Sequence, residues 1–336
     1  MRTFAFLTHP LTKEQLRKIW PVLNIVPDCA VRPFLKCLPS FNVHKIENIS
    51  LSNGKELEGF LINLSLLPDE ILDMKEGLVL ERIAAAINAA AKLGVEIVGL
   101  GGLLAEKRYH YAGKFKLPVT NGNYFTAWTV VEALYRLCKV KKVRLNELTV
   151  TVLGAQTAIG ALCARKLSYY ASKIIISGGE EAELARLKTA ISRLDTCAVD
   201  MEPDIRAAVN KTDVLVIADS LFNGLINNKD FKSGAIVCDI SPVDNLCALV
   251  GARSDITIVE AGLIKLPYPV SFPFYNGAFK NIIPAALAET MLLVFEDKFI
   301  RKRLNVANTN IEKLEAVADI AAHYGFETWV PQAPVL

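Results

Sequence analysis

Three absences narrow the reading of these 336 residues. No apolar run approaches the roughly 20 residues that a membrane helix needs, so no membrane span is expected. The seven cysteines, at 29, 37, 138, 163, 197, 238 and 247, form no Cys-x-x-Cys pair and no zinc spacing with histidine, which argues against metal and dithiol chemistry. No basic stripe is interleaved with aromatics, and a formal charge of +3 is too small to argue for nucleic acid as a partner. Internal repeats and low-complexity tracts are also missing. No signal peptide is expected after Met1, because Pro10 interrupts a short apolar run. A cytoplasmic location, where thiols stay reduced, follows as the expectation.

What is present suits a packed protein, with 52% hydrophobic and 22% charged residues. The length is large for one core, so two domains are expected. Two basic clusters stand out: Lys139, Lys141, Lys142 and Arg144, then Lys298, Arg301, Lys302 and Arg303. A solvated helix end accounts for each, and a docking patch for an acidic carrier protein is the sharper alternative.

The chain opens as an α/β unit. Thr3 to Thr8 reads as a strand and Thr12 to Trp20 as a helix. Two alternating strands between Asn42 and Leu64 flank Asn53-Gly54, a hairpin pair. The alanine-rich stretch Leu78 to Leu93 reads as a helix stopped by Gly94, and the strand Val95 to Leu100 ends at Gly101-Gly102. The turn Thr120-Asn121-Gly122-Asn123 leads into a linking helix from about Phe125 to Cys138, with Asn123 placed to cap it. Strands at Leu148–Leu153, Lys173–Ile176, Asp213–Ile217, Ala235–Asp239 and Thr257–Glu260 follow, with helices to Tyr169 and over Glu181–Leu194. A proline-rich loop, Pro267 to Pro273, precedes two helices, Pro284–Phe295 and Asn310–His323.

That alternation predicts an α/β fold: a Rossmann-type doubly wound parallel sheet plus an N-terminal α/β substrate domain, with C-terminal helices returning to it. The expected boundaries are 1–122 for the substrate domain, 123–145 for the linking helix, 146–266 for the nucleotide-binding domain and 267–336 for the closing helices.

The central motif is Gly154-Ala155-Gln156-Thr157-Ala158-Ile159-Gly160, between a strand and a helix. In that context a glycine turn places a helix N-terminus against a pyrophosphate. Thr157 stands where a glycine is expected: its Cβ would block the phosphates, or its hydroxyl would donate to them. A Rossmann domain that binds no dinucleotide is the plainer reading beside this one. The second strand ends Ser177-Gly178-Gly179-Glu180, with no acid for a ribose hydroxyl and no arginine for a 2′-phosphate. Glu180 and Glu181 would repel that phosphate, which leans the cofactor from NADP toward NAD; they also simply favour a helix start. Ala218-Asp219-Ser220, Asp239 and Gly262 are expected to line the same crevice.

The sequence resembles the long-chain acyl-[acyl-carrier-protein] reductases of cyanobacteria and related bacterial dehydrogenases of amino-acid or shikimate type. The likeness rests on Leu100-Gly101-Gly102, Thr120-Asn121-Gly122-Asn123, Val152-Leu153-Gly154-Ala155, Ala288-Glu289-Thr290-Met291-Leu292-Leu293 and Ile311-Glu312-Lys313-Leu314-Glu315-Ala316. The resemblance implies reduction of a fatty acyl thioester to an aldehyde with NADPH, by way of a cysteine thioester. It also marks departures. Ala286 stands at the nucleophile position, Thr157 at a phosphate glycine and Gly179 at a phosphate-binding arginine. Phe125 replaces a histidine, and Leu103 and Leu104 replace small hydroxyl residues.

The expectation is therefore an NAD(P)-dependent oxidoreductase acting on a carbonyl or acyl ligand without a covalent cysteine. The alternative is a catalytically inactive relative that binds a ligand, with no cofactor, or regulates a partner. Tyr124 and Glu289 are the catalytic candidates, ahead of His110, Lys107 and Lys265. Gly101, Gly102, Asn121 and Asn123 are the substrate candidates. Cys138 and Cys238 are expected in the core. Delivery by an acyl carrier protein and a homodimer complete the expected partners; no metal is expected.

Overall fold

The computed structural model describes residues 2–35, 38–50, 54, 56–105, 115–219, 225–240, 250, 253–270, 281–296 and 309–330. The chain forms two compact units. Unit 1 draws on Met1–Gly122, Lys265–Val306 and Ile320–Glu327; unit 2 draws on Asn123–Ile264, Ala307–Asp319 and Thr328–Leu336.

Unit 1 is organised by a five-stranded sheet in the order β2-β3-β1-β4-β5. Its strands are β1 (Arg2–Thr8), β2 (Phe41–Ser50), β3 (Glu56–Leu64), β4 (Ile97–Leu100) and β5 (Val119–Thr120). β2 is antiparallel to β3, and the other pairs are parallel. The central β1 buries Phe4, Ala5, Phe6 and Leu7, as a strand covered on both faces must. The helices α1 (Lys13–Ile19), α2 (Val31–Leu35), α3 (Pro68–Asp73) and α4 (Glu76–Lys92) follow in chain order. α4 buries Val79, Ile83, Ala86, Ile87 and Ala90, one stripe at helical spacing. Of the expected hairpin turn, Leu51 to Asn53 lie outside the described residues.

Unit 2 carries an all-parallel six-stranded sheet in the order β11-β10-β9-β6-β7-β8. These are β6 (Thr149–Leu153), β7 (Lys173–Ser177), β8 (Ala198–Met201), β9 (Val214–Ile217), β10 (Ile236–Asp239) and β11 (Thr257–Glu260). Its helices include α5 (Asn123–Lys141), α6 (Ala158–Leu167), α7 (Glu181–Ser192) and α8 (Ile205–Asn210). The chain winds outward from β6 to β8, then returns to β9 on the other side of β6. That reversal creates a crevice beyond the carboxyl ends of β6 and β9, where such sheets bind ligands. The fold is thus α/β with a doubly wound parallel sheet. β8 and α8 were not anticipated: β8 has four residues and buries only Val199 well, so it carries little periodic signal.

The strands β12 (Leu263–Lys265), β13 (Ile282–Pro284) and β14 (Glu327–Thr328) form a small sheet. Two helices close the chain, α9 (Ala285–Leu293) and α10 (Ile311–His323). α9 lies wholly in unit 1, whereas Ile311–Asp319 of α10 groups with unit 2. There Glu315 pairs with the buried Lys166 at 2.5 Å, which holds that end of the helix.

α9 is buried nearly all round, including Glu289 and Thr290. It reaches the sheet where side chains are missing: a Cβ at Gly99 would overlap the Thr290 hydroxyl and come within 2.8 Å of the Phe6 ring. Gly99→Ala should therefore cost about 2 kcal/mol in a denaturant titration, as overpacking does. Adding Thr290→Ala should recover part of that loss. Equal stability of Gly99→Ala and the parent would contradict this packing.

Candidate functional site

In unit 2 the turn after β6 is built on Gly154, whose φ of +80° is costly for any other residue. A Cβ there would also sit 2.7 Å from Asp219 Cβ, at the tip of β9. Gly160 lets α6 begin against the end of β6, since a Cβ would overlap the Gly154 carbonyl. Thr157 is the N-cap of α6: its hydroxyl accepts from Gly160 N–H at 3.0 Å and donates to Gly154 O at 2.8 Å. Both bonds stay inside the loop. The hydroxyl is thus engaged by the loop in this structure. The next two N–H groups, of Ala158 and Ile159, are in the first turn, where a helix supplies no acceptor. Ala155 is buried. A glycine turn under two open N–H groups fits a pyrophosphate.

Beside this turn, Gly154 N–H and Ala155 N–H donate to Ser177 O at 3.0 and 3.3 Å. Gly178 and Gly179 follow β7 with φ of +89° and +86°. Gln156 spans the crevice, donating from Nε2 to Asp219 Oδ2 at 2.9 Å. Ala218 is buried at the end of β9, and Asp239 closes β10 half-buried. Gly262 (φ +81°) donates its N–H to Thr129 Oγ1 at 3.0 Å. Ser220 lies outside the described residues.

In unit 1 the carboxyl edge of the sheet brings together residues that sequence reasoning had separated. Thr120 donates to Glu289 Oε1 at 2.5 Å and accepts from Gly122 N–H at 3.2 Å. This chain fixes the Thr120-Asn121-Gly122 turn on α9. Ala286, half-exposed in the first turn of α9, packs so closely on Gly122 that a Cβ there would overlap it. Glu289 is fully buried and acts through Thr120 as a positioning residue. Asn121 is buried as well.

Next to this turn, Gly101 is buried and Gly102 is exposed with φ +58°. Leu103 and Leu104 are fully buried and serve the core. His9 was not foreseen: a lone histidine after a strand gives no pattern. It is buried, accepts from Leu103 N–H at 3.2 Å through Nε2, and reaches Pro10 O from Nδ1 at 3.1 Å. Loss of water around the ring lowers its pKa to about 4.

The remaining candidates scatter. Tyr124 is buried in the first turn of α5, in unit 2. Asn123 opens α5, so this helix starts two residues earlier than predicted. Phe125 is core. Lys265 closes β12, and Lys107 and His110 fall outside the described residues. Cys138, Cys163 and Cys238 are buried; burial raises the Cys138 thiol, pushes Cys163 up to about 12 and holds Cys238 well above its ordinary range. None of the three is a ready thiolate at neutral pH. Among the described residues no group of three or more His, Cys, Asp or Glu could hold a metal, and no helix is long and apolar enough to cross a membrane.

Over 296 residues the chain is 22% identical to the long-chain acyl-[acyl-carrier-protein] reductase of Synechococcus elongatus, covering 83% of this chain and 85% of that protein. The two proteins are related. No family model matches the sequence. Among solved structures, L-tryptophan dehydrogenase from Nostoc punctiforme is 12% identical, with 96% of this chain and 88% of that one covered at a TM-score of 0.39. Shikimate 5-dehydrogenase from Listeria monocytogenes is 11% identical, with 77% and 86% covered at a TM-score of 0.38. The reductase relationship agrees with the motifs on both units.

His9 gives this site a pH signature. Its folded-state pKa lies below the unfolded value near 6.5, so the unfolded chain takes up the proton first. Stability should be complete above pH ~6.5 and fall by up to about 1.4 kcal/mol per pH unit down to about pH 4. In His9→Gln, whose amide oxygen can still accept from Leu103, urea midpoints should lose most of that slope. An unchanged slope would place the titrating group elsewhere.

Proposed function

We propose that this chain is an NAD(P)-dependent oxidoreductase that reduces a carbonyl or acyl substrate directly, without a cysteine thioester. The observation that carries this reading is the Gly154 turn with the open N–H groups of Ala158 and Ile159 above it. The relationship to an acyl-[acyl-carrier-protein] reductase supports it. A nicotinamide dinucleotide bound there would supply the hydride that turns a carbonyl into an alkoxide, which water protonates to the alcohol.

The protein's own residues set what this chemistry can be. Ala286 offers a methyl group where the resemblance assigns a nucleophile, and the buried thiols are held protonated. An acyl-enzyme therefore has no donor among these groups. Glu289 and Thr120 hold the Asn121-Gly122 backbone in place beside Ala286, and the exposed Gly102 leaves room for a substrate at the same sheet edge. The ligand class is a small carbonyl or acyl compound. Delivery on an acyl carrier protein is the second possibility, which the exposed Lys139, Lys141, Lys142 and Arg144 suit by charge. A catalytically inactive, ligand-binding protein is the alternative, favoured by the Cβ that Thr157 adds beside the phosphate turn.

The purified chain should oxidise reduced nicotinamide cofactor when offered a panel of aldehydes and ketones from short to long chain, followed by loss of nicotinamide absorbance. Intact mass should show no acyl adduct after incubation with a long-chain acyl thioester, while Ala286→Cys should gain one acyl group. Failure of every carbonyl compound in the panel to support oxidation would favour the inactive reading. An acyl adduct on the unaltered chain would overturn the thiol-free mechanism.

A further inference from the structure

Within that reading, we infer that the adenosine end of the unit 2 crevice is built for a dinucleotide with a free ribose 2′-hydroxyl, and that Gln156 sets this choice. The inference deepens the proposed function by naming the cofactor class and the residue that selects it.

The first observation is steric. A Cβ at Gly179 would lie 2.5 Å from Gln156 Cβ, 2.6 Å from Cγ and 2.9 Å from Cδ. The aliphatic stem of Gln156 thus occupies the space that any side chain at 179 would need. Gly179 also has φ +86°, which side chains rarely adopt. A 2′-phosphate is ordinarily met by an arginine near the tip of this second strand. Here that position has neither room nor backbone freedom for one.

The second observation is an unsatisfied polar pair. Gln156 Oε1 and Ser177 Oγ are both buried without a hydrogen-bond partner, and Ser177 has no exposed surface. Both belong to the corner where Ser177 O receives Gly154 N–H and Ala155 N–H. The amide orientation of Gln156 follows from chemistry, because the Asp219 carboxylate accepts only and so takes the NH₂ side. Its oxygen is left wanting a donor. A ribose hydroxyl both donates and accepts, and so can supply the donor that Gln156 Oε1 lacks. A phosphate dianion only accepts, and would set its oxygens against Gln156 Oε1.

The third observation is charge. No lysine or arginine occurs in 154–160, 177–185 or 218–219, which follow β6, β7 and β9, and the next cation along, Arg186, donates from Nε to Ala182 O on its own helix. Glu180, Glu181, Glu183 and Asp219 do occur there, and they oppose an added phosphate.

Calorimetric titration of the full chain with NADH and NADPH tests this, with Gln156→Ala as the variant and circular dichroism to confirm that it folds. NADH should bind about tenfold or more tightly than NADPH. In Gln156→Ala the NADH affinity should fall about tenfold while that for NADPH holds or improves, so the ratio closes. Equal or tighter NADPH binding by the parent would overturn this inference and leave the oxidoreductase reading standing. An unchanged ratio in folded Gln156→Ala would remove Gln156 as the selector. Binding of neither cofactor would overturn this inference and the reading beneath it.

Discussion

Close backbone approach at glycine is the constraint on which the rest depends. At Gly160 a single hydrogen in place of a side chain lets α6 begin against the carbonyl of Gly154. Only then can the first-turn N–H groups sit directly beyond β6, at the point where the strand order reverses. Thr157 closes the turn by bonding inward to Gly154 and Gly160, so its side chain serves the loop. The loss of a glycine at 157 is thereby absorbed as a helix cap. The cap leaves the N–H groups of Ala158 and Ile159 open, and these remain the chemistry the turn offers.

The same device recurs in unit 1 with a different outcome. Gly99 and Gly122 bring α9 against β4 and the turn after β5, and Thr290 and Ala286 fill the space they leave. Glu289 is buried with them and spends its carboxylate on Thr120. The carboxylate named as a catalytic candidate also fixes the Thr120 turn. The edge it holds carries His9, Gly102 and Asn121. His9 stays neutral there because burial leaves no water to solvate a charge.

The strand–helix alternation was legible because buried parallel strands are written as short Val/Ile runs, as in Val214–Ile217, and because Gly154 follows one of them abruptly. β8 was not legible, since half of its residues face solvent and no alternation survives in four positions. The start of α5 at Asn123 was misjudged, because a residue that often caps a helix is here its first member. Tyr124 follows a polar turn in the sequence, and α5 buries it. His9, Thr120 and the Gln156–Asp219 bridge could not be read at all. Each depends on residues distant in the chain meeting at a strand tip, and no local spacing encodes that.

The central claim is that the Gly154–Gly160 turn receives the pyrophosphate of a nicotinamide cofactor. Amide hydrogen exchange read by mass spectrometry, with and without saturating NADH, tests it most directly. The account predicts slower exchange in peptides spanning Gly154 to Ala161, where Ala158 and Ile159 gain acceptors, with smaller protection at Ser177 to Gly179. Unchanged exchange across both segments, or protection confined to other parts of the chain, would contradict it.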